Sequence, residues 1–255
     1  MEESIAWARI ADLYDAYVKA DLDLSFFLNE ARKTTGKVLE LMSGTGRVSV
    51  PLIKAGIRLT CVDASAEMLA ILRTKLAERS LSAPVHQMDV RTLDINQQFD
   101  LIFIPFHSFA ELPSTEDQHK TLARIREHLV DDGRFICTLH NPQVRLKRVD
   151  GQLRLWGKYS LEDRQGTLLL WGLENYDSEK HVVNGLEIFE EYDLNGFMKA
   201  KRLVELHFRI VDHCEFLDLA SAAGFKVAAL YGDYEYSEFR QDTSPFMIWI
   251  LQKSL

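Results

Sequence analysis

The sequence predicts an α/β protein with a seven-stranded, mainly parallel sheet, helices on both faces, and an antiparallel β insertion. Short, almost continuously apolar runs alternate with amphipathic helical segments from residue 37 onward. A turn with two glycines follows the first apolar run, and between residues 151 and 210 the helical rhythm gives way to long alternating segments. Apolar strands that alternate with helices are typical of a parallel sheet covered on both faces.

Composition indicates a soluble globular protein. The chain has 255 residues, 47% of them hydrophobic, and a net charge of -8 from 30 basic and 38 acidic residues. No cluster of basic residues would follow a phosphate backbone, so we expect no nucleic-acid partner. The cysteines Cys61, Cys137 and Cys214 are widely spaced, which favours neither a disulfide framework nor a metal site. We expect a cytoplasmic protein with no membrane partner, because the N-terminus lacks a signal-type apolar core.

The elements of the α/β part follow in order. Residues 1–35 are predicted to be helical, since Ile5, Ala8, Leu13 and Tyr17 have helical spacing. The predicted strands are "KVLELM", "RLTCVD", "APVHQMD", "FDLIFIPF" and "GRFICTLH". The helices between them are "GRVSVPLIKAG", "SAEMLAILRTKLAERS" and "STEDQHKTLARIREHL", the last two opened by serine caps.

The insertion is predicted from four aromatic-rich segments, "QLRLWGKYS", "GTLLLWGLENYD", "VNGLEIFEEYD" and "AKRLVELHFRI". In the last, Val204, Leu206 and Phe208 fall on one face and Glu205 and His207 on the other. The helix "HCEFLDLASAAG" and the strands "FKVAALYGDY" and "SPFMIWILQK" then complete the sheet. We therefore expect one domain over residues 1–255, with a helical lid over 1–35 and the insertion at 151–210 inside it.

The stretch "VLELMSGTGRVSV" predicts a binding turn between the first strand and its helix. Gly44 and Gly46 allow close approach of a ligand to backbone N–H groups. A dinucleotide fingerprint would need a third glycine where this chain has Ser49. Glu40 ends the strand, where it either accepts hydrogen bonds from a ligand or satisfies local backbone groups.

Two further acids follow the second and third strands. Asp63 is placed to accept both hydroxyls of a ribose. Asp89 is placed to accept an adenine amino group, with the Val90 N–H meeting a ring nitrogen. Each acid alone is explained as a helix cap. Together, beside a glycine turn, they indicate an adenosine-sized crevice.

The chain resembles the class I S-adenosylmethionine (SAM)-dependent methyltransferases, which have a Rossmann-like fold, from about residue 14 to its C-terminus. "VLELMSGTGRVSVPLIKAG", "CVDASAEML", "VHQMDVRTLD" and "FDLIFIPFHSFAEL" resemble that family's first four motifs in order. "HLVDDGRFICTLHNP" resembles its fifth-strand segment. One departure is Met42, which stands where the family has its first glycine.

The resemblance implies that SAM is the cofactor and S-adenosylhomocysteine the product. It places the methionine part at the glycine turn, its amino group at Glu40, the ribose at Asp63, and adenine between Met68 and Asp89. The full implied cofactor set is Tyr14, Glu40, Gly44, Thr45, Gly46, Asp63, Ala64, Met68, Asp89, Val90 and Pro105. For Tyr14, simple packing of an amphipathic helix is the open alternative.

The insertion resembles that of small-molecule methyltransferases, including amino-sugar N-methyltransferases, in which it roofs the active site and can form a subunit interface. We therefore expect transfer to nitrogen or oxygen of a small molecule by a monomer or a homodimer. His107 and His140 follow the fourth and fifth strands and are candidate general bases. The candidate acceptor contacts are Asn141, Tyr231 and the polar face of the last segment of the insertion, with Glu205, His207 and Arg209.

Two other functions fit parts of the pattern. A nicotinamide-dependent oxidoreductase would use a similar sheet, but Ser49 and Asp89 argue against it. A SAM-binding protein without turnover would bind SAM and methylate no acceptor.

Overall fold

The computed structural model describes residues 7–254 and contains eleven strands in two sheets. The strands are β1 (Val38–Leu41), β2 (Leu59–Asp63), β3 (Val85–Gln87), β4 (Phe99–Ile104), β5 (Leu129–His140), β6 (Arg154–Leu161), β7 (Gly166–Asp177), β8 (Val182–Tyr192), β9 (Met198–Arg209), β10 (Phe225–Tyr231) and β11 (Phe246–Lys253). The main sheet has the order β10-β11-β5-β4-β1-β2-β3. Only β10 and β11 are joined to it by antiparallel pairing. The predicted seven-stranded, mainly parallel sheet is confirmed.

The helices lie between the strands as predicted, except near the N-terminus. They are α1 (Ala11–Tyr17), α2 (Leu24–Arg32), α3 (Ser49–Lys54), α4 (Ala66–Glu78), α5 (Thr115–His128), α6 (Pro142–Arg145) and α7 (His213–Ala222). The N-terminal region forms two short helices, so the prediction of helix throughout residues 1–35 is wrong for the link between them. The first six residues of that prediction lie outside the described part of the chain.

Two apolar clusters cover the two faces of the main sheet. Strand β4 shows the division, because Ile102 and Ile104 belong to one cluster while Leu101 and Phe103 belong to the other. Successive side chains of a strand point to opposite faces, so strands with both faces buried carry apolar residues at nearly every position. No helix within residues 7–254 is long and apolar enough to span a membrane.

The insertion is a separate antiparallel sheet of four strands, in the order β6-β7-β8-β9. Its apolar inner face packs on α1, where Leu13 joins Leu168, Phe189 and Val204 in a third buried cluster. Ion pairs reinforce this contact, since Asp12 of α1 accepts hydrogen bonds from Arg164 and Arg202 of the insertion. The insertion is thus fastened to the N-terminal helix above the main sheet.

Asn141 fastens the end of β5 to the segment before β11. Its Nδ2 donates to the carbonyl oxygens of Gln241 and Ser244, both at 2.8 Å, and its Oδ1 accepts from the backbone N–H of Gln143. The side chain is buried. This predicted acceptor contact therefore holds the loops around the site.

We expect Asn141→Ala to lower the free energy of unfolding by about 2–4 kcal/mol, because three hydrogen bonds are lost in a buried place. Urea unfolding would measure the change. The matched control is Gln143→Ala, a truncation of an exposed side chain that should change stability by less than about 0.5 kcal/mol. Equal stability of Asn141→Ala and the control would contradict this structural role.

Candidate active site

A cavity of about 830 Å³ lies at the carboxyl ends of the parallel strands, beneath the inner face of the insertion. Parallel strands bring the residues that follow them to the same edge, so the predicted site residues meet there. Those that line the cavity are Tyr14, Gly44, Asp63, Ala64, Met68, Asp89, Val90, His107, His140 and Arg209. The predicted residues not among its lining are Glu40, Thr45, Gly46, Pro105, Asn141, His207 and Tyr231.

The two glycines of the turn have different roles. Gly44 has φ +53°, and no described atom beyond its chain neighbours lies within 4 Å of the position that a Cβ would take. A Cβ on Gly46 would lie 2.3 Å from Leu72 Cδ1, so this glycine serves the close packing of α4. Met42, which lines the cavity, keeps a left-handed φ of 57° where the family has glycine. The turn thus leaves open space for a ligand at Gly44.

Asp63 ties the glycine turn to the end of β2. Its Oδ2 accepts from the Gly44 N–H at 2.7 Å, and its Oδ1 accepts from the Ser65 N–H at 2.8 Å. Burial raises the pKa of this carboxyl, while the backbone donors lower it. Each carboxylate oxygen has a second lone pair, so Asp63 can still accept from the two hydroxyls of a ribose.

Glu40 points into the protein rather than into the cavity. It is almost fully buried, and its Oε2 accepts from Ser49 Oγ at 2.5 Å. Burial raises the pKa of Glu40 to about 8, against the lowering effects of Ser49 and Arg47. Glu40 therefore supports the strand–helix junction beneath the turn. Thr45 similarly faces the N-terminal region, where its Oγ1 donates to Asp15 at 2.7 Å.

Asp89 follows β3, the edge strand of the main sheet, and lines the cavity. Both of its oxygens accept from Arg91, at 2.9 and 3.0 Å from Nε, and these bonds lower the pKa of the carboxyl. Its Oδ1 also caps the short turn Val90–Thr92 through the Arg91 N–H. Asp89 is thus a fixed carboxylate on the cavity wall, close to the buried Met68 and Val90 that line the same space.

The candidate bases His107 and His140 are stacked on each other, with ring centroids 3.6 Å apart. Burial, together with the charges of Arg145 and Arg148, lowers the pKa of His140 to about 3. Burial and then His140 hold the pKa of His107 well below its usual value. Both rings are therefore neutral at pH 7. Among the described residues His107 Nδ1 has no hydrogen-bond partner, so it can accept one from a ligand.

The polar face of β9 points away from the cavity, contrary to the expectation that Glu205 and His207 face an acceptor. Leu206 and Phe208 line the cavity, and because side chains alternate along a strand, His207 is turned outward and pairs with Asn184 at 2.8 Å. Arg209 reaches the cavity at the strand end and binds Glu215 at 2.5 Å.

The structure adds residues that the sequence reasoning missed, one on α1 and four on the insertion. They are Tyr17, Trp156, Tyr159, Glu174 and Glu187. The sequence could have identified Glu187, because it lies an even number of positions from the buried Val183 and Phe189 and so shares their face of β8.

The chain belongs to the SAM-dependent methyltransferase family. A family model described as a methyltransferase domain matches residues 38–133, the part that carries the glycine turn, Asp63 and Asp89. The YqeM protein of Bacillus subtilis (strain 168), whose name assigns it to the methyltransferases, is 30% identical over 177 residues, covering 62% of this chain and 70% of that one. The expected family and cofactor, SAM, are confirmed.

Other relatives and solved structures resemble nearly the whole chain. The glycine/sarcosine N-methyltransferase of Aphanothece halophytica is 27% identical over 253 residues, 95% of this chain and 86% of that one. The CcbJ methyltransferase from Streptomyces caelestis has a TM-score of 0.83 at 24% identity, with both chains covered completely. The sugar N-methyltransferase KedS8 from Streptoalloteichus sp ATCC 53650 has a TM-score of 0.72 at 18% identity, covering 95% and 91% of the two chains. The chain spans about half the length or less of three other curated relatives, 50%, 44% and 40%.

The buried histidines predict a loss of stability in acid. A histidine with a lowered pKa in the folded state stabilises the fold above its unfolded pKa of about 6.5 and loses that effect as the pH falls toward the folded value. We expect wild type to lose up to ~1.4 kcal/mol per pH unit more than His140→Phe between about pH 6 and 4. Phenylalanine keeps the ring stacking without the titration.

Urea unfolding at several pH values would measure both slopes. The control is His119→Phe on the exposed side of α5, which should keep the wild-type slope. Parallel curves for wild type and His140→Phe would contradict the assignment.

Proposed function

We propose that this enzyme transfers a methyl group from SAM to a nitrogen atom of a small molecule held beneath the insertion. The observation that carries the proposal is one continuous cavity. Its floor has Gly44, Asp63 and Asp89 at the strand ends, and its roof has Trp156 and Tyr159 of the insertion. A cofactor on the floor and an acceptor under the roof would meet inside it.

Nitrogen is favoured over oxygen by a relative that matches 95% of the chain and is named as a glycine/sarcosine N-methyltransferase. The site chemistry agrees with this choice. An alcohol needs a general base near its hydroxyl, while a neutral amine needs only alignment and exclusion of water. The two stacked histidines, held neutral with low pKa values, are weak bases.

The residues present fit SAM, which when bound would supply a methyl group activated by a sulfonium. Asp63 would accept from the ribose hydroxyls, and Gly44 would leave room for the methionine part. Met68, Asp89 and Val90 would contact adenine. Tyr14 lies over the same cavity, where its ring stands edge-on to Tyr17 at 5.6 Å between centroids and would exclude water.

We expect SAM and S-adenosylhomocysteine to raise the melting temperature, and NAD to leave it unchanged. A ligand that binds only the folded state stabilises it by mass action. Thermal unfolding with each ligand at equal concentration would measure this. Stabilisation by NAD alone would refute the assignment of the cavity.

We expect Asp63→Ala to weaken SAM binding by about 1–3 kcal/mol, because a charged acceptor for the ribose is lost. The same change should lower the free energy of unfolding by about 1–2 kcal/mol, since Gly44 and Ser65 lose their acceptor. Calorimetric titration and urea unfolding would measure the two effects. Asp131→Ala, at a fully exposed position, is the control and should change neither. If Asp63→Ala bound SAM as tightly as wild type, Asp63 would only hold the glycine turn in place and would not bind the ribose.

A further inference from the structure

Glu187 occupies the middle of the roof's inner face, an apolar surface. It stands on β8 opposite Gly172 of β7 and Val204 of β9. Its neighbours on the same face of β8 include Val183 and Phe189, both buried, and Phe189 belongs to the cluster that packs on α1. A carboxylate in such surroundings is costly unless something binds it.

Two glycines lie next to Glu187 on the inner face of the insertion. A Cβ on Gly172 would lie 2.3 Å from the ring of Trp156, so the glycine lets the indole lie across the strand. Gly185 lies two positions before Glu187, and a Cβ there would make ordinary contacts with Leu206 and Glu174 at 3.7–3.9 Å. Glu187, Trp156 and Tyr159 line the same cavity.

Among the described residues Glu187 has no counter-ion, whereas its neighbour Glu174 has one. Glu174 pairs with Gly185, which makes it a diagonal neighbour of Glu187 on the same face, and it is ion-paired with Arg145. Within residues 7–254, Glu187 Oε2 is buried and has no hydrogen-bond partner. When Glu187 is ionised, the two carboxylates outnumber the one guanidinium, so this group of side chains carries a net negative charge.

We propose that Glu187 binds the ammonium group of a cationic amine acceptor and removes one of its protons. Glu174 adds negative charge to the subsite, and the rings of Tyr17, Trp156 and Tyr159 surround the carbon skeleton. Aromatic faces attract cations, and the surrounding leucines and valines suit an apolar body. This inference rests on the proposed function and specifies its substrate class.

The proton step is balanced within the site. An N–H bond of the ammonium breaks, its electron pair stays on nitrogen, and an O–H bond forms on Glu187. The neutral amine is then the nucleophile, and Glu187 releases its proton to water when the product leaves. Burial, and then the charge of Glu174, raises the pKa of Glu187 to about 7, so it is a far stronger base than His140, whose pKa is about 3.

The same charges disfavour an acceptor with a carboxylate beside its amine, such as glycine. Arg145 is already paired with Glu174, and the other cavity-lining arginine of this region, Arg209, is bound to Glu215 and Thr115. The carboxylate of such an acceptor would therefore be repelled by Glu174 and Glu187, and both of these arginines already bind a carboxylate of the protein. The expected acceptor is an amine on an uncharged skeleton.

The test measures binding as well as turnover. Cyclohexylamine and glucosamine, their neutral counterparts cyclohexanol and glucose, and glycine are titrated calorimetrically into protein saturated with S-adenosylhomocysteine. We expect at least one of the two amines to bind at least about tenfold more tightly than its counterpart and than glycine. Glu187→Gln, which keeps the side-chain shape, should abolish that preference and leave SAM affinity unchanged. Turnover of the bound amine, followed as S-adenosylhomocysteine formed, should fall in parallel.

The matched control is Glu205→Gln, on the outward face of the neighbouring strand, which should keep the wild-type preference. Binding of neither amine to wild type, equal binding to Glu187→Gln, or tighter binding of glycine would each overturn the proposal. So would a loss of SAM affinity in Glu187→Gln, since Glu187 would then contact the cofactor. Wild type that binds neither SAM nor S-adenosylhomocysteine would instead refute the proposed function itself.

Discussion

The parallel pairing of β1 with β2 and β4 is the constraint on which the site depends. It brings the glycine turn, Asp63 and the segment after β4 to one edge of the sheet. The hydrogen bond from the Gly44 N–H to Asp63 then closes the space between the first two strand ends. The chain enters the insertion after β5 and leaves it before α7. Both connections lie at this edge of the main sheet, and the four-stranded sheet of the insertion covers the cavity.

The turn also holds the N-terminal helices over that edge. Arg47, just after Gly46, donates to both carboxylate oxygens of Asp23 at 2.5 and 2.6 Å and to the carbonyl oxygen of Ala20 at 2.9 Å. Thr45 binds Asp15, which is also paired with Lys75 of α4 at 2.5 Å. Any shift of the turn would therefore move the segment that carries Tyr14 and Tyr17. These bonds thus connect the glycine turn to the helix that contributes Tyr14 and Tyr17 to the cavity lining.

Local patterns predicted the order of strands and helices, because the periodicity of apolar residues is set by each element's own backbone geometry. They also placed Asp63 and Asp89 at the cavity, since strand ends can be located in the sequence. The local patterns did not predict which of two opposite faces of an element a given side chain occupies. In the insertion both faces carry apolar residues, for example Leu186 outward and Phe189 inward, and only the long-range contact with α1 decides which one is covered. The turning of His207 toward Asn184 likewise depends on a partner on the neighbouring strand, and that of Glu40 depends on Ser49 in the helix after the glycine turn.

Burial raises the pKa of Glu187 and lowers the pKa of His140 in this cavity. In the proposed function this difference governs the selectivity for the acceptor. Burial favours the neutral form of every group, so His140 gives up its proton easily while Glu187, with a pKa raised to about 7, holds its proton near neutral pH. A cation that enters beside Glu187 favours the ionised carboxylate and supplies the counter-ion that Glu187 has from none of the described residues. A neutral alcohol of the same shape offers one hydrogen bond and no charge, so it leaves the cost of burying the carboxylate largely in place. In the proposed function, the absence of an internal partner for Glu187 within the described chain would therefore allow the roof to distinguish an amine from an alcohol.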